Sequence, residues 1–107
     1  MSGSGGRSRG NLRSTSTPCD KLDFQAPIMS PVPEVVRALE KGDILLLALQ
    51  QQAPGGTIVV LKDDRVAGSI IEHVAELVRC IQAGHNFEAE VLSIRGGDVR
   101  LRIRSAQ

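Results

Sequence analysis

Tryptophan and tyrosine are absent from this chain, and phenylalanine occurs only twice, at Phe24 and Phe87. Proteins that hold single-stranded nucleic acid without sequence preference stack bases on aromatic rings, so that mode of binding has almost nothing to work with here. Cysteine is equally scarce. Cys19 and Cys80 are too few for a disulfide scaffold, and both are expected to be reduced thiols in a cytoplasmic protein. The longest apolar run, Ile44 to Leu49, falls far below the ~20 residues that span a bilayer. No secretory signal precedes it, so a membrane role is not expected. Charge of one sign is lacking too: Lys and Arg number 13 against 12 for Asp and Glu, for a net charge of +1. Bulk attraction to nucleic acid or to an anionic membrane is thereby excluded, and any such binding must come from a local patch.

What is present, at 107 residues, suffices for one small domain. Residues 1–29 are expected to form a disordered or loosely packed tail. Beyond Met1, the stretch to Pro18 holds Gly, Ser, Thr and Arg with Leu12 as its one sizeable apolar residue, too little to offset the entropy of ordering. Arg7, Arg9 and Arg13 make it weakly basic. Cys19 to Met29 is transitional, with Phe24, Ile28 and Met29 as an arm that packs on the domain. The domain itself is expected over 30–104, with residues 105–107 disordered.

Ser30-Pro31-Val32-Pro33-Glu34 reads as a helix start, because proline is tolerated where backbone donors lack partners and a carboxylate suits the positive helix end. Val32, Val35, Val36 and Leu39 keep helical spacing up to Gly42, which predicts a helix over Pro31 to Lys41. Asp43 to Gln50 is continuous and apolar and fits a strand covered on both faces. Thr57 to Leu61, rich in β-branched residues, predicts a returning strand, and Lys62-Asp63-Asp64 turns the chain into a third strand over Arg65 to Ile71. From Glu72 the period lengthens: Val74, Leu77, Val78 and Ile81 form a helical stripe, Ser69 and Glu72 are spaced as a capping box, and Gly84 is the stop.

The C-terminal third predicts a hairpin. Val99, Leu101 and Ile103 alternate with Arg100, Arg102 and Arg104, so one face is core and the other a row of guanidinium groups. A three-residue loop Arg95-Gly96-Gly97 would place Glu90 opposite Arg102, Glu88 opposite Arg104, Val91 opposite Leu101 and Ala89 opposite Ile103. A two-residue Gly96-Gly97 turn would set Glu90 against Ile103 and mismatch charge with apolar surface. The three-residue loop is preferred, and it requires that Leu92 and Ile94 be covered by another element or re-aimed by a bulge. The resulting class is α+β: a small, curved, mostly antiparallel five-stranded sheet, closing partly into a barrel, with two short helices.

Thr57-Ile-Val-Val-Leu-Lys-Asp-Asp-Arg-Val-Ala-Gly-Ser-Ile-Ile71, followed by a helix Glu72 to Ala83 and then Gly84, resembles the middle of the HIRAN family in its order of strand, turn, glycine-bearing strand and helix. The resemblance spans about Asp43 to Arg104. Members of that family recognise DNA ends with the help of aromatic side chains, so the resemblance implies a nucleic-acid-binding module. Ser69, and no tyrosine, follows Gly68 here, so the resemblance carries topology and no binding residue.

Other chemistry is thin. His73 and Cys80 share a helix face, and with His85 and Cys19 they could make four zinc ligands, but the spacing matches no compact zinc motif. Asp63-Asp64 suits a turn better than a hydrolytic pair, and Gly55-Gly56 and Gly96-Gly97 do not lie between a strand and a helix as a phosphate-cradling loop requires. The expectation is therefore a non-catalytic accessory or protein-interaction domain, without metal or cofactor, acting through a sheet edge or the first helix on an unidentified protein partner. The alternative is a nucleic-acid-binding module contacting phosphates through Arg95, Arg100, Arg102 and Arg104. Which applies turns on whether the arginine row is free or is paired with Glu88 and Glu90.

Overall fold

Strict alternation of buried and exposed side chains along the C-terminal residues sets the frame of the fold. In Asp98–Ser105 the residues Val99, Leu101 and Ile103 are fully buried, while Arg100 and Arg102 face solvent. The computed structural model describes residues 18–51 and 56–106. Within them the chain runs through a 3₁₀ turn (Cys19–Lys21), β1 (Asp23–Pro27), α1 (Pro33–Val36), β2 (Ile44–Gln50) and β3 (Thr57–Lys62). It continues through β4 (Arg65–Ile70), α2 (Val74–Gln82), β5 (Phe87–Arg95) and β6 (Asp98–Ser105). The expectation for residues 1–17 lies outside the described residues, as does that for Gln107.

The strands form one antiparallel sheet in the order β1, β6, β5, β2, β3, β4. It curls into a half-barrel whose two outer strands meet at one point. Ile28 donates its N–H to Val99 on β6, whereas its neighbour Met29 exchanges hydrogen bonds with Ser69 on β4 at 2.8 and 2.9 Å, and Val32 donates to Ala67. Consecutive strand residues point their backbone groups in opposite directions, so the chain at 28–29 stitches one edge of the sheet to the other. Gly68 stands at this seam. A Cβ there would collide with the Ile28 side chain and lie 2.8 Å from the Met29 carbonyl, so the close approach needs glycine.

The α+β class and the curled sheet match expectation, but the sheet has six strands among the described residues, not five. The added strand is β1, from the stretch read as a transitional arm. Phe24 and Ala26 face the core opposite Ile103 and Leu101. Pro27, which has no N–H, sits near the end of this outer strand, where a missing donor is tolerated. Regular structure among the described residues begins at Cys19 and runs through Ser105, and Ala106 donates its N–H to Asn86.

The first helix is also shorter than expected. Only Pro33–Val36 is α-helical; Ala38 and Leu39 then bond to Val35 and Val36 in tighter i to i−3 turns. The apolar spacing survives, since Val35, Val36 and Leu39 are buried. Two outside bonds draw the chain away from a longer helix: Val32 to Ala67 at its start, and Gly42 to Val91 at its end. The second helix occupies the expected place and ends at Gly84, whose φ is 100°. Leu77 and Cys80 are fully buried under the sheet. Its expected capping box does not form. Ser69 belongs to β4, its hydroxyl donating to the Met29 carbonyl, and the N-cap is His73 in the left-handed region at φ 56°.

Cys19 and Cys80 are joined in a disulfide with a Cα–Cα separation of 5.7 Å. The expectation of two free thiols is corrected by tertiary placement. The 3₁₀ turn brings Cys19 against α2, a pairing that the sequence separation of 61 gave no means of anticipating.

Candidate functional site: the outer face of the sheet

The hairpin β5–β6 carries the candidate residues, and its register decides their chemistry. Glu88 pairs with Arg104, Ala89 with Ile103, Glu90 with Arg102 and Val91 with Leu101, the register anticipated from charge matching. The turn that delivers it differs. Arg95 pairs with Asp98, so Gly96-Gly97 is a two-residue turn with φ 63° at Gly96, as mirror-image hairpin turns require. The two facts are reconciled by a bulge at Leu92: Val91 pairs with Leu101 and Ser93 with Arg100, leaving Leu92 unmatched. One extra residue shifts the register by one. It returns Ile94 to the core side opposite Val99 and leaves Ser93 on the arginine face.

On that face the guanidinium row is mostly neutralised. Arg102 donates from Nε to Asp23 Oδ1 at 3.0 Å and from Nη2 to Asp23 Oδ2 at 2.7 Å. Its acid is supplied by β1 and not, as expected, by Glu90. Arg104 takes both glutamates, donating to Glu88 at 3.0 Å and Glu90 at 2.9 Å. The hydrogen bond from Arg102 holds the Asp23 carboxyl below the usual carboxylate range, against the opposing effect of burial. The bonds to Glu90 and Glu88 raise the Arg104 guanidinium further above its ordinary value. Arg95 and Arg100 differ: no carboxylate lies within ion-pair distance of either among the described residues. They line a shallow depression of about 270 Å³ with Gln25, Leu92, Ser93 and Asp98.

Beside the charged ladder lies an apolar strip. Along β2 the residues Leu45 and Leu47 point to the core, while Ile44 and Leu46 are 50% and 57% exposed. Ile44 neighbours Glu90, and Leu46 neighbours Glu88 on one side and Leu61 on the other. The expectation that this strand is covered on both faces is therefore corrected. A run of aliphatic residues does not reveal which alternate positions lack a covering layer, and both helices pack elsewhere. At the strand's start, Asp43 accepts from the Glu40 N–H at 2.9 Å and from Lys62 Nζ at 3.3 Å, and these contacts, the first above all, lower its carboxyl from the ordinary range.

The other candidates do not assemble. Asp63 and Asp64 both have positive φ, 52° and 66°, in the tight turn between β3 and β4, which makes them turn formers. Cys19 and Cys80 are consumed by their mutual bond, and no group of metal-ligating side chains occurs among the described residues. The His73 ring lies tilted by 45° against Phe24, with centroids 4.4 Å apart, and its Nδ1 lies 2.7 Å from Glu76 Oε1. His85 has its Nδ1 buried without a hydrogen-bond partner. No helix among the described residues is long and apolar enough to cross a membrane.

No known protein family, curated protein or solved structure matches this chain.

Proposed function

We propose that this is a non-catalytic binding domain that meets a protein partner across the outer face of β2. The observation that carries the reading is the exposure of Ile44 and Leu46 side by side on a central strand. A hydrophobic pair left open in the middle of a sheet costs solubility unless something covers it. The two routes expected from sequence lose support. The sheet edges are stitched together at Met29 and Ser69, and the first helix is a single turn whose Val35 and Val36 are already buried.

The nucleic-acid reading implied by the HIRAN resemblance is the second possibility, and the geometry disfavours it. Each phosphate contact needs a cation free to replace a counterion, and Arg102 and Arg104 are held by Asp23, Glu88 and Glu90. A cytoplasmic setting would keep Cys19 and Cys80 reduced, so the state of that bond in protein taken from cells reports the compartment.

The test pairs two measurements on the isotope-labelled chain. Single-stranded and duplex oligonucleotides, titrated at low and moderate salt, should produce no salt-sensitive shifts on Arg102 and Arg104; shifts that run along the row through both would install the nucleic-acid reading instead. A partner identified by affinity capture should then bind the purified protein directly and lose that binding on I44D/L46D. Unchanged affinity in that variant overturns the assignment of the face.

A further inference from the structure

We infer that the depression at the tip of the β5–β6 hairpin is a site for a single oxyanion group, held by Arg95 and Arg100. Register places the components. Ser93 lies opposite Arg100 and Arg95 opposite Asp98, so Ser93, Arg95, Asp98 and Arg100 share the outer face, and Gln25 reaches the same depression from β1. The bulge at Leu92 makes the arrangement. Without the extra residue, Ser93 would turn to the core side and the depression would lose its hydroxyl.

The chemistry on offer is two guanidinium groups, a hydroxyl and a side-chain amide around a hollow of about 270 Å³. Guanidinium forks match the paired oxygens of a carboxylate or phosphate. The two arginines are diagonal neighbours of like charge with no ion-pair partner among the described residues, an arrangement that an oxyanion between them relieves. Asp98 lines the same depression and limits the charge the site can take.

The surroundings select a lone group over a polymer. On this face Arg102 and Arg104 are matched by Asp23, Glu88 and Glu90, whereas Arg95 and Arg100 have only Asp98 nearby. A polyanion laid along the row would meet a carboxylate beside every arginine beyond Arg100. One carboxylate or phosphate at the hairpin tip meets the excess positive charge alone. The ligand is thus a molecule that presents a single oxyanion, either an acidic peptide side chain or a phosphate ester. The inference does not rest on the Ile44–Leu46 face, and I44D/L46D should leave it intact.

The experiment is an NMR titration of the labelled full chain with inorganic phosphate and, separately, with an acetylated glutamate peptide, each against sodium chloride at matched ionic strength. Saturable shifts confined to Ser93, Arg95, Arg100 and their side-chain N–H groups are expected with at least one of the two. The stronger of the two identifies the source. Affinity should fall about tenfold or more in R95Q and R100Q, the scale of a lost charge-assisted hydrogen bond. Both residues are exposed and outside the ion pairs, so these variants should fold as the native chain does. Shifts equal to those in chloride, or retained in both variants, overturn the site. Tighter binding of an oligonucleotide that moves Arg102 and Arg104 together would overturn the single-group reading in favour of a polyanion track.

Discussion

Asp23 of β1 and Arg102 of β6 meet in a two-point ion pair, with both carboxylate oxygens accepting from one guanidinium. The pair fastens the first strand of the domain to the last across the outer face. Because Asp23 titrates below the ordinary carboxylate range in the folded chain, its contribution to stability is complete above the unfolded value of about 4 and is lost as pH falls through the folded value. The urea midpoint should therefore decline below about pH 4. Asp23→Asn should lower the midpoint at neutral pH and flatten the decline. An acid limb identical to that of the native chain would show that the pair contributes nothing.

Gly68→Ala should be costly although it adds one methyl. Its Cβ would press on Ile28 and on the Met29 carbonyl, and overpacking of this kind costs about 1–3 kcal/mol. Equilibrium urea unfolding would read the loss. In addition, hydrogen exchange should quicken at Met29 and Ser69, whose amides bridge the seam.

Asp64→Gly should stabilise the protein. Asp63 and Asp64 both hold left-handed φ in the β3–β4 turn. Relief of about 1 kcal/mol of left-handed strain, less ~0.5 kcal/mol for the extra freedom of glycine in the unfolded chain, leaves a net gain near 0.5 kcal/mol. A thermal melt should show a rise of a few degrees.

Reduction of the Cys19–Cys80 bond should lower stability by about 4 kcal/mol, the loop-entropy estimate for a sequence separation of 61. The comparison is urea unfolding with and without reductant, alongside C19S/C80S. Coincident curves, with two titratable thiols before reduction, would show that the bond is not formed.

The parts of the fold most legible from sequence are those whose pattern is local. The alternation in Val99, Leu101 and Ile103 and the stripe Leu77 to Ile81 each announce a face before any partner is known. The charge-matched register of Glu88 and Glu90 was legible too, since a slip would have set carboxylates against apolar residues. Its turn was not, because a bulge and a two-residue turn together imitate a three-residue loop in every pair from Val91 to Phe87. Strand β1 did leave a signal, the alternation of Phe24, Ala26 and Ile28, but Pro27 and the polar flanks obscured it. The first helix failed for another reason: Val32 and Gly42 bond to β4 and β5, and such tertiary bonds override local spacing. For the site, Arg95 and Arg100 were among the named candidates. What separates them from Arg102 and Arg104 is the position of Asp23, 79 residues from Arg102.

The order of the strands has a consequence for how the molecule comes into being. A ribosome delivers β1 through β4 before it delivers the hairpin Phe87 to Ser105, yet that hairpin lies between β1 and β2 in the finished sheet. Until it emerges, β1 has no ladder neighbour along Asp23–Pro27, and β2 is paired on one side only. The last strands made are the keystone. The nascent chain must wait with its first strand unplaced, and a chain cut short before Phe87 would expose β2 as a long aliphatic edge open to its neighbours on the same message.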